Sequence, residues 1–275
     1  MAPVPRPGHP SDELRRHRIG QYFDAVPRAS AAVEPCGAFT VFVSNAPWPH
    51  AARPTLDGEQ PISVDDVRRV VAHQQRVGTA VEIEWDHDER PELAGAATAA
   101  GLAVRFRPLM VRDGRVRPRA ELPGWRLDML TAHEPDIARI RAVAAVGFRA
   151  GGTAVGEDGP AHRDREQTEP VAVEQTRAEL ADGRRAMAVV RSSMHGPVAV
   201  GAHRPRLGVT EIVGVAVLPE FRRRGLAAAL TQLLVEDALS RGIEVVVLTA
   251  ESDAVARIYE RIGFRRIGTA GVAEA

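Results

Sequence analysis

Residues 210–264 read TEIVGVAVLPEFRRRGLAAALTQLLVEDALSRGIEVVVLTAESDAVARIYERIGF, and the order of their glycines, arginines and apolar runs predicts strands and helices in alternation. Residues 212–218 form an apolar run around Gly214, as expected of a buried strand with a local bend or bulge. Pro219 ends this strand. The helix that follows has an apolar inward face made of Leu226, Leu230, Leu233 and Leu234.

The turn between this strand and this helix has the pattern Arg222-x-x-Gly225-x-Ala227. A helix N-terminus presents unpaired backbone N–H groups and the positive end of the helix dipole, and both attract anions. Small residues at Gly225 and Ala227 leave room for a pyrophosphate to approach the backbone. Arg222, Arg223 and Arg224 add positive charge. The turn therefore predicts a phosphate site.

A second strand and helix complete this stretch. Gly242 ends the first helix, and residues 245–248 form an uninterrupted apolar run that is typical of a central strand. Ser252 or Asp253 can cap the next helix, which Gly263 ends. Tyr259 lies in the last turns of that helix and is expected to face the strand ends.

These residues resemble the GCN5-related N-acetyltransferase (GNAT) family. Arg222-x-x-Gly225-x-Ala227 is similar to its pyrophosphate loop, residues 211–218 to its fourth strand, and residues 259–264 (YERIGF) to its C-terminal tyrosine and Gly-Phe signature. The resemblance implies acetyl-CoA as co-substrate. The residues expected to contact it are Val215, Ala216, Val217, Arg222, Arg223, Arg224, Gly225, Leu226, Ala227 and Ser252. Ser252 stands where the family often has an asparagine.

Acetyl transfer to an amine requires a held thioester, a proton acceptor and a proton donor. Strands splayed at Gly214 would offer backbone groups of Val215, Ala216 and Val217 to the amide-bearing pantetheine arm. Tyr259 is protonated at neutral pH and can donate to the leaving thiolate. Glu211, at the start of the same strand, is the candidate base, directly or through a water. His203 and His195 are rival bases.

The composition limits the possible partners. Lys+Arg and Asp+Glu both number 36, which argues against nucleic acid or an acidic membrane surface as the partner. A single cysteine, Cys36, cannot form an internal disulfide, and the sequence shows neither a secretory signal nor an 18-residue apolar run. No His, Cys or carboxylate spacing suggests a metal site. We expect a cytoplasmic protein.

The first half repeats the order of the second. Helix, Gly78, strand, helix, Gly101 and strand match helix, Gly242, strand, helix, Gly263 and strand. The chemistry is missing from the first copy, since Pro61 falls at the position of Gly225 and Ala97 at that of Tyr259. This half resembles the inactive halves of tandem GNAT enzymes, mycothiol synthase among them.

We therefore expect an α/β (α+β) fold with two GNAT-like domains, each a mixed, mostly antiparallel sheet flanked by helices, with splayed central strands in the second. The boundaries are a mobile tail at 1–20, a degenerate domain at 21–118, a charged linker at 112–123 and a catalytic domain at 122–275.

The expected function is N-acetylation of a small metabolite or antibiotic by direct attack in a ternary complex, by a monomer or homodimer. A mycothiol synthase-like transferase and a non-catalytic acyl-CoA sensor or scaffold are the alternatives. The acidic stretch 151–169 mildly favours a cationic acceptor.

Overall fold

The structure is a computed structural model that describes residues 10–44, 50–56, 58, 60–113 and 121–275. The elements in chain order are α1 (Pro10–Arg28), β1 (Ala31–Cys36), β2 (Phe39–Ser44), β3 (Arg53–Pro54), α2 (Val64–Val77), β4 (Glu82–Asp86), α3 (Glu92–Ala99), β5 (Ala103–Arg112), β6 (Trp125–Met129), α4 (Ile137–Arg149), α5 (Pro160–Arg165), α6 (Pro170–Ala181), β7 (Ala186–Ser192), β8 (Gly196–Arg206), β9 (Val209–Val217), a 3-10 turn (Pro219–Phe221), α7 (Leu226–Ser240), β10 (Val245–Thr249), α8 (Asp253–Arg261) and β11 (Phe264–Glu274). Residues 114–120 of the expected linker lie outside the described residues.

The chain divides into two compact units. The first holds the described residues up to Met110 together with Thr249–Ser252 and Arg266–Ala275, and the second holds Val111–Leu248 and Asp253–Arg265. The end of the chain therefore belongs to the first unit, whereas the sequence placed all residues after 122 in one domain. Local patterns show that a strand forms there but not with which distant strand it pairs.

In the first unit, β1, β2 and β3 form an antiparallel sheet, and β11 pairs antiparallel with β4. Gly271 of β11 faces Trp85 of β4, and a Cβ at position 271 would overlap the indole ring. Helix α2 begins at a capping box, in which Asp66 N donates to Ser63 Oγ at 3.2 Å. Phe39, Ile83 and Trp85 belong to the buried core of the first unit.

The expected mobile tail needs correction. Residues 1–9 lie outside the described residues, but Pro10–Arg28 form α1, in which Ile19 and Tyr22 are buried. Arg16 Nη2 lies 2.8 Å from Asp86 Oδ1 of β4. Arg16 also pairs with Asp88 at 3.7 Å. Buried apolar side chains and ion pairs of Arg16 thus attach this helix, although its mostly polar composition is typical of a tail.

The internal repeat is present in the structure. Gly78 ends α2 and Gly242 follows the end of α7, both in the left-handed region, with φ of 73° and 76°. Gly101 after α3 and Gly263 after α8 also match, with φ of 93° and 98°. Left-handed backbone of this kind favours glycine, which is why these residues mark the helix ends in both halves of the sequence.

In the second unit the strand order is β10-β9-β8-β7-β6. The β6–β7, β7–β8 and β8–β9 pairs are antiparallel, and β10 runs parallel to β9. This mixed, mostly antiparallel sheet with flanking helices confirms the expected fold class. Helix α5 lies within the acidic stretch 151–169.

Helices α4 and α7 cover opposite faces of this sheet. A Cβ built on Gly201 of β8 would lie 3.0 Å from Leu234 and 3.3 Å from Leu230, both on α7. A Cβ on Gly147 of α4 would lie 3.0 Å from the Ala216 Cβ on β9. The small residues thus allow both helices to approach the central strands closely.

Candidate functional site

The centre of the second unit is a bulge in β9. The β8–β9 register runs from Val200↔Ala216 to Ala202↔Val213, so two residues of β9 oppose one of β8. Gly214, with φ of 63°, lies in this bulge. A bulge with glycine in the left-handed region bends the strand, which is the irregularity that the sequence indicates at Gly214.

The central strands β9 and β10 separate just before this bulge, after Glu211. Strand β10 pairs with β9 at Val245↔Val209, Val246↔Thr210 and Val247↔Glu211. Strand β9 continues to Val217, and within the described residues the β9–β10 ladder does not extend beyond Glu211. The edge of β9 at residues 215–217 that faces away from β8 is where an extended amide chain could add to the sheet.

The turn after β9 connects this strand to α7. Pro219–Phe221 form a 3-10 turn, and Gly225 is the N-cap of α7 with φ of 78°. Arg223 is also in the left-handed region, with φ of 61°. The first hydrogen bond of the helix runs from Ala229 N to Gly225 O at 3.1 Å. The amides that precede Ala229 have no partner within the helix, so the turn has the backbone geometry of an anion site.

The three arginines of the turn differ in their surroundings. Arg223 and Arg224 are exposed, and the Arg224 guanidinium carbon lies 5.4 Å from the centre of the Phe221 ring. The Arg222 guanidinium instead donates to the carbonyls of Gly147, Gly151, Ala154 and Val217. The expectation that the Arg222 side chain faces a phosphate needs correction, because these carbonyls hold it.

Tyr259 lies on α8 and is 9% exposed. Burial raises the pKa of its phenol to about 12. Its ring packs edge-on against Phe264, with 6.0 Å between ring centres. The hydroxyl is therefore protonated at any physiological pH, which is the state that a proton donor needs.

Glu211 is half-buried on β9 at the end of the β9–β10 ladder. Its ladder partners are Arg204 on β8 and Val247 on β10. Glu211 thus lies where the two central strands begin to separate, three residues before the bulge at Gly214. Ser252 directly precedes α8, among the residues grouped with the first unit, and its contact with acetyl-CoA stays a prediction.

The rival histidines occupy other surroundings. His203 has no exposed surface, and its ring lies between Thr210 and Asp237. Burial lowers its pKa. An acceptor cannot reach this ring, so His203 is a core residue rather than a base. His195 lies in the β7–β8 turn, with its ring centre 5.5 Å from that of Phe221.

Arginines pair with two of the acidic side chains of the stretch 151–169, Asp164 and Glu166. Hydrogen bonds from Arg163 lower the pKa of Asp164 to about 2, and Arg139 also contacts this carboxylate. Arg149 Nη2 lies 2.5 Å from Glu166 Oε2. This pairing weakens the argument that the stretch selects a cationic acceptor.

Two further sequence expectations concern absences. In the part of the chain that the structure describes, no group of three or more His, Cys, Asp or Glu side chains could hold a metal ion. None of the described helices is long and apolar enough to span a membrane.

Comparison with known proteins supports the resemblance seen in the sequence. Residues 190–271, which include the β9 bulge, the turn and Tyr259, match the model of a GNAT-like family described as FR47-like protein. A GCN5-related N-acetyltransferase from Kribbella flavida superposes with a TM-score of 0.67 at 22% identity, over 94% of both chains. The chain has the fold of the GCN5-related N-acetyltransferases.

Other GNAT structures match over almost the whole chain. A GNAT-family protein from Novosphingobium aromaticivorans has a TM-score of 0.55 at 23% identity, over 97% of both chains. A tandem GNAT protein from the clavulanic acid biosynthesis pathway has a TM-score of 0.55 at 13% identity, over 94% of this chain and 95% of that chain. No curated protein matches the sequence. The GNAT fold thus extends over both halves of the chain, as the internal repeat suggests.

Proposed function

We propose that this chain is an acetyl-CoA-dependent N-acetyltransferase that acts on the amine of a small molecule in a ternary complex. The observation that carries the proposal is the start of α7, where Gly225 with φ of 78° caps a helix that follows the bulged strand β9. The backbone amides at this helix start can bind a pyrophosphate. The edge of β9 can bind the amide-bearing arm that joins the pyrophosphate to the thioester.

Acetyl-CoA, when bound, supplies the acetyl group as a thioester. The amides of residues 223–227 would bind its pyrophosphate, and the exposed Arg223 and Arg224 would add charge for its other phosphate. The backbone of Val215, Ala216 and Val217 would orient the arm. These residues hold and orient the donor, and the described site offers no side chain that we assign as a covalent acyl carrier.

Two side chains of the second unit would move protons. Glu211 would accept the proton that the attacking amine loses as its nitrogen forms the new N–C bond. Tyr259 would donate its hydroxyl proton to the sulfur as the C–S bond breaks. The high pKa of Tyr259 keeps this proton in place until negative charge develops on sulfur. Both groups would return to their starting states by proton exchange with solvent.

Release of the coenzyme thiol tests the proposal. Purified protein is incubated with acetyl-CoA and a panel of amines that includes amino acids, polyamines, amino sugars and a cysteinyl sugar. Thiol release above background with at least one amine, lost in a Gly225→Glu variant, is the expected result. A response to the cysteinyl sugar alone would favour the mycothiol synthase-like alternative. Coenzyme binding without release across the panel would contradict catalysis and favour a sensor.

A further inference from the structure

The Arg222 side chain joins three segments of the second unit. Its guanidinium donates to Gly147 O at the end of α4 at 2.7 Å, and to Gly151 O and Ala154 O at 2.9 and 3.2 Å. Its Nε lies 3.3 Å from Val217 O at the end of β9. A planar guanidinium carries five N–H groups in a fixed fork, so it can bond carbonyls in several directions at once.

Backbone contacts strengthen the same connection. Gly156 N donates to Pro219 O at 3.2 Å, and Glu220 N donates to Asp158 O at 3.2 Å. A Cβ on Gly156 would lie 3.1 Å from the Pro219 Cβ, so the two backbones are in close contact. The segment 151–159 is thus attached to the residues that lead from β9 into the turn before α7.

The segment 151–159 depends on such contacts for its order. All of its residues are described, and they form neither helix nor strand. Val155, in its middle, is 58% exposed and presents an apolar side chain to solvent. A segment without its own ladder of hydrogen bonds opens more easily than the helices and strands beside it, unless neighbouring groups hold it.

We propose that Arg222 is a positioning residue that couples coenzyme binding at residues 223–227 to the order of the segment 151–159. The inference rests on the proposed function, because it requires coenzyme at the start of α7. An anion bound by the backbone amides after Arg222 restrains the backbone of Arg222. The position of the Arg222 guanidinium, which bonds Gly151 O and Ala154 O, is thereby restrained as well. Coupling is reciprocal, so a ligand that orders the segment also tightens coenzyme binding.

Hydrogen exchange followed by mass spectrometry tests this coupling with coenzyme A as the probe. In the wild type, coenzyme A should slow exchange of the peptide that covers residues 151–159 by about tenfold. In Arg222→Lys the peptide should exchange faster than in wild type and respond to coenzyme A by less than about twofold, because one ammonium cannot span the four carbonyls. Arg165→Lys, at an exposed arginine of α5, is the matched control and should behave like wild type.

Two further measurements separate the possible failures. Calorimetry of each variant reports whether coenzyme A binds at all. Absence of binding in the wild type would refute the proposed function. Binding without any change in exchange of residues 151–159 would overturn only the coupling. If Arg222→Lys fails to fold, Arg222→Gln serves instead, because its amide has two N–H groups and cannot bond all four carbonyls at once. An undiminished response to coenzyme A in folded Arg222→Gln would also count against the coupling.

Discussion

His203 Nε2 lies 2.8 Å from Asp237 Oδ2, which joins strand β8 to helix α7 inside the second unit. His203 Nδ1 lies 3.0 Å from Thr210 Oγ1 on β9, one residue before Glu211. In a neutral imidazole, Nε2–H donates to the carboxylate while Nδ1 accepts from the hydroxyl, so every polar atom of the ring is satisfied. Arg241 Nε, 2.6 Å from the same carboxylate oxygen, balances the charge of Asp237.

This buried ring predicts a pH dependence of stability. Burial lowers the pKa of His203 in the folded chain below the ordinary 6.5, so the unfolded chain binds a proton that the folded chain refuses. The free energy of unfolding should therefore decrease as the pH falls through about 6.5, by roughly 1 kcal/mol per pH unit. Denaturant unfolding of wild type and His203→Gln between about pH 7.5 and 5.5 measures it.

The control is His133→Gln, which replaces an exposed histidine of the same unit. We expect His203→Gln to have a lower free energy of unfolding than wild type at about pH 7.5. Its free energy of unfolding should depend less on pH than that of wild type, whereas His133→Gln should keep the wild-type dependence. Equal slopes in all three proteins would show that His203 is not held neutral in the core.

Tyr259→Phe should lower kcat by about ten- to a thousandfold with little change in coenzyme affinity, because the variant keeps the ring but loses the proton donor. Water can partly replace the donor, so the smallest decrease in kcat that we expect is about tenfold. The pKa of about 12 also predicts that ionisation of Tyr259 does not reduce kcat of the wild type at moderately alkaline pH. Steady-state kinetics of acetyl transfer measure both effects.

Tyr22→Phe is the matched control, since Tyr22 and Tyr259 are the 2 tyrosines of the chain and both are buried. Tyr22 belongs to the first unit and should not affect turnover. An unchanged kcat in Tyr259→Phe would remove this residue from the proposed mechanism.

Glu211→Gln should reduce kcat/KM sharply while acetyl-CoA binding remains intact. The amide has nearly the shape of the carboxylate but cannot take a proton from the amine. The rate of the wild type should rise with pH as the base and the amine lose protons, and a series of amines of different pKa separates the two contributions. A pH profile that follows only the acceptor's pKa in both proteins would mean that Glu211 is no dedicated base.

Local sequence signals predicted the parts of the site that depend on local backbone geometry. Gly214 marked the bulge, Pro219 and Gly225 marked the turn before α7, and Gly263 marked the end of the helix that carries Tyr259. Each of these residues restricts or frees φ directly, so its effect can be read without knowing what surrounds it.

Contacts between distant residues were beyond the reach of such signals. Three of the four carbonyls that hold Arg222 come from residues 68 to 75 positions away, and Asp237 is 34 positions from His203. An arginine in a phosphate-like turn and a histidine in an apolar strand give no sign of these partners. The pairing of β11 with β4 depends likewise on the fold as a whole. The apolar run of residues 197–202, which leads directly into His203, is the sequence signal that could have indicated a buried histidine.

The most direct test of the account is calorimetric titration of the full chain with acetyl-CoA. We predict one site per chain, strongly weakened in Gly225→Glu, whose carboxylate would repel the pyrophosphate at the start of α7. Gly225→Ala is the control, because it imposes the same cost at φ of 78° without adding charge and should bind more tightly than Gly225→Glu. Absence of binding in the wild type, two sites per chain, or full binding by folded Gly225→Glu would contradict the account.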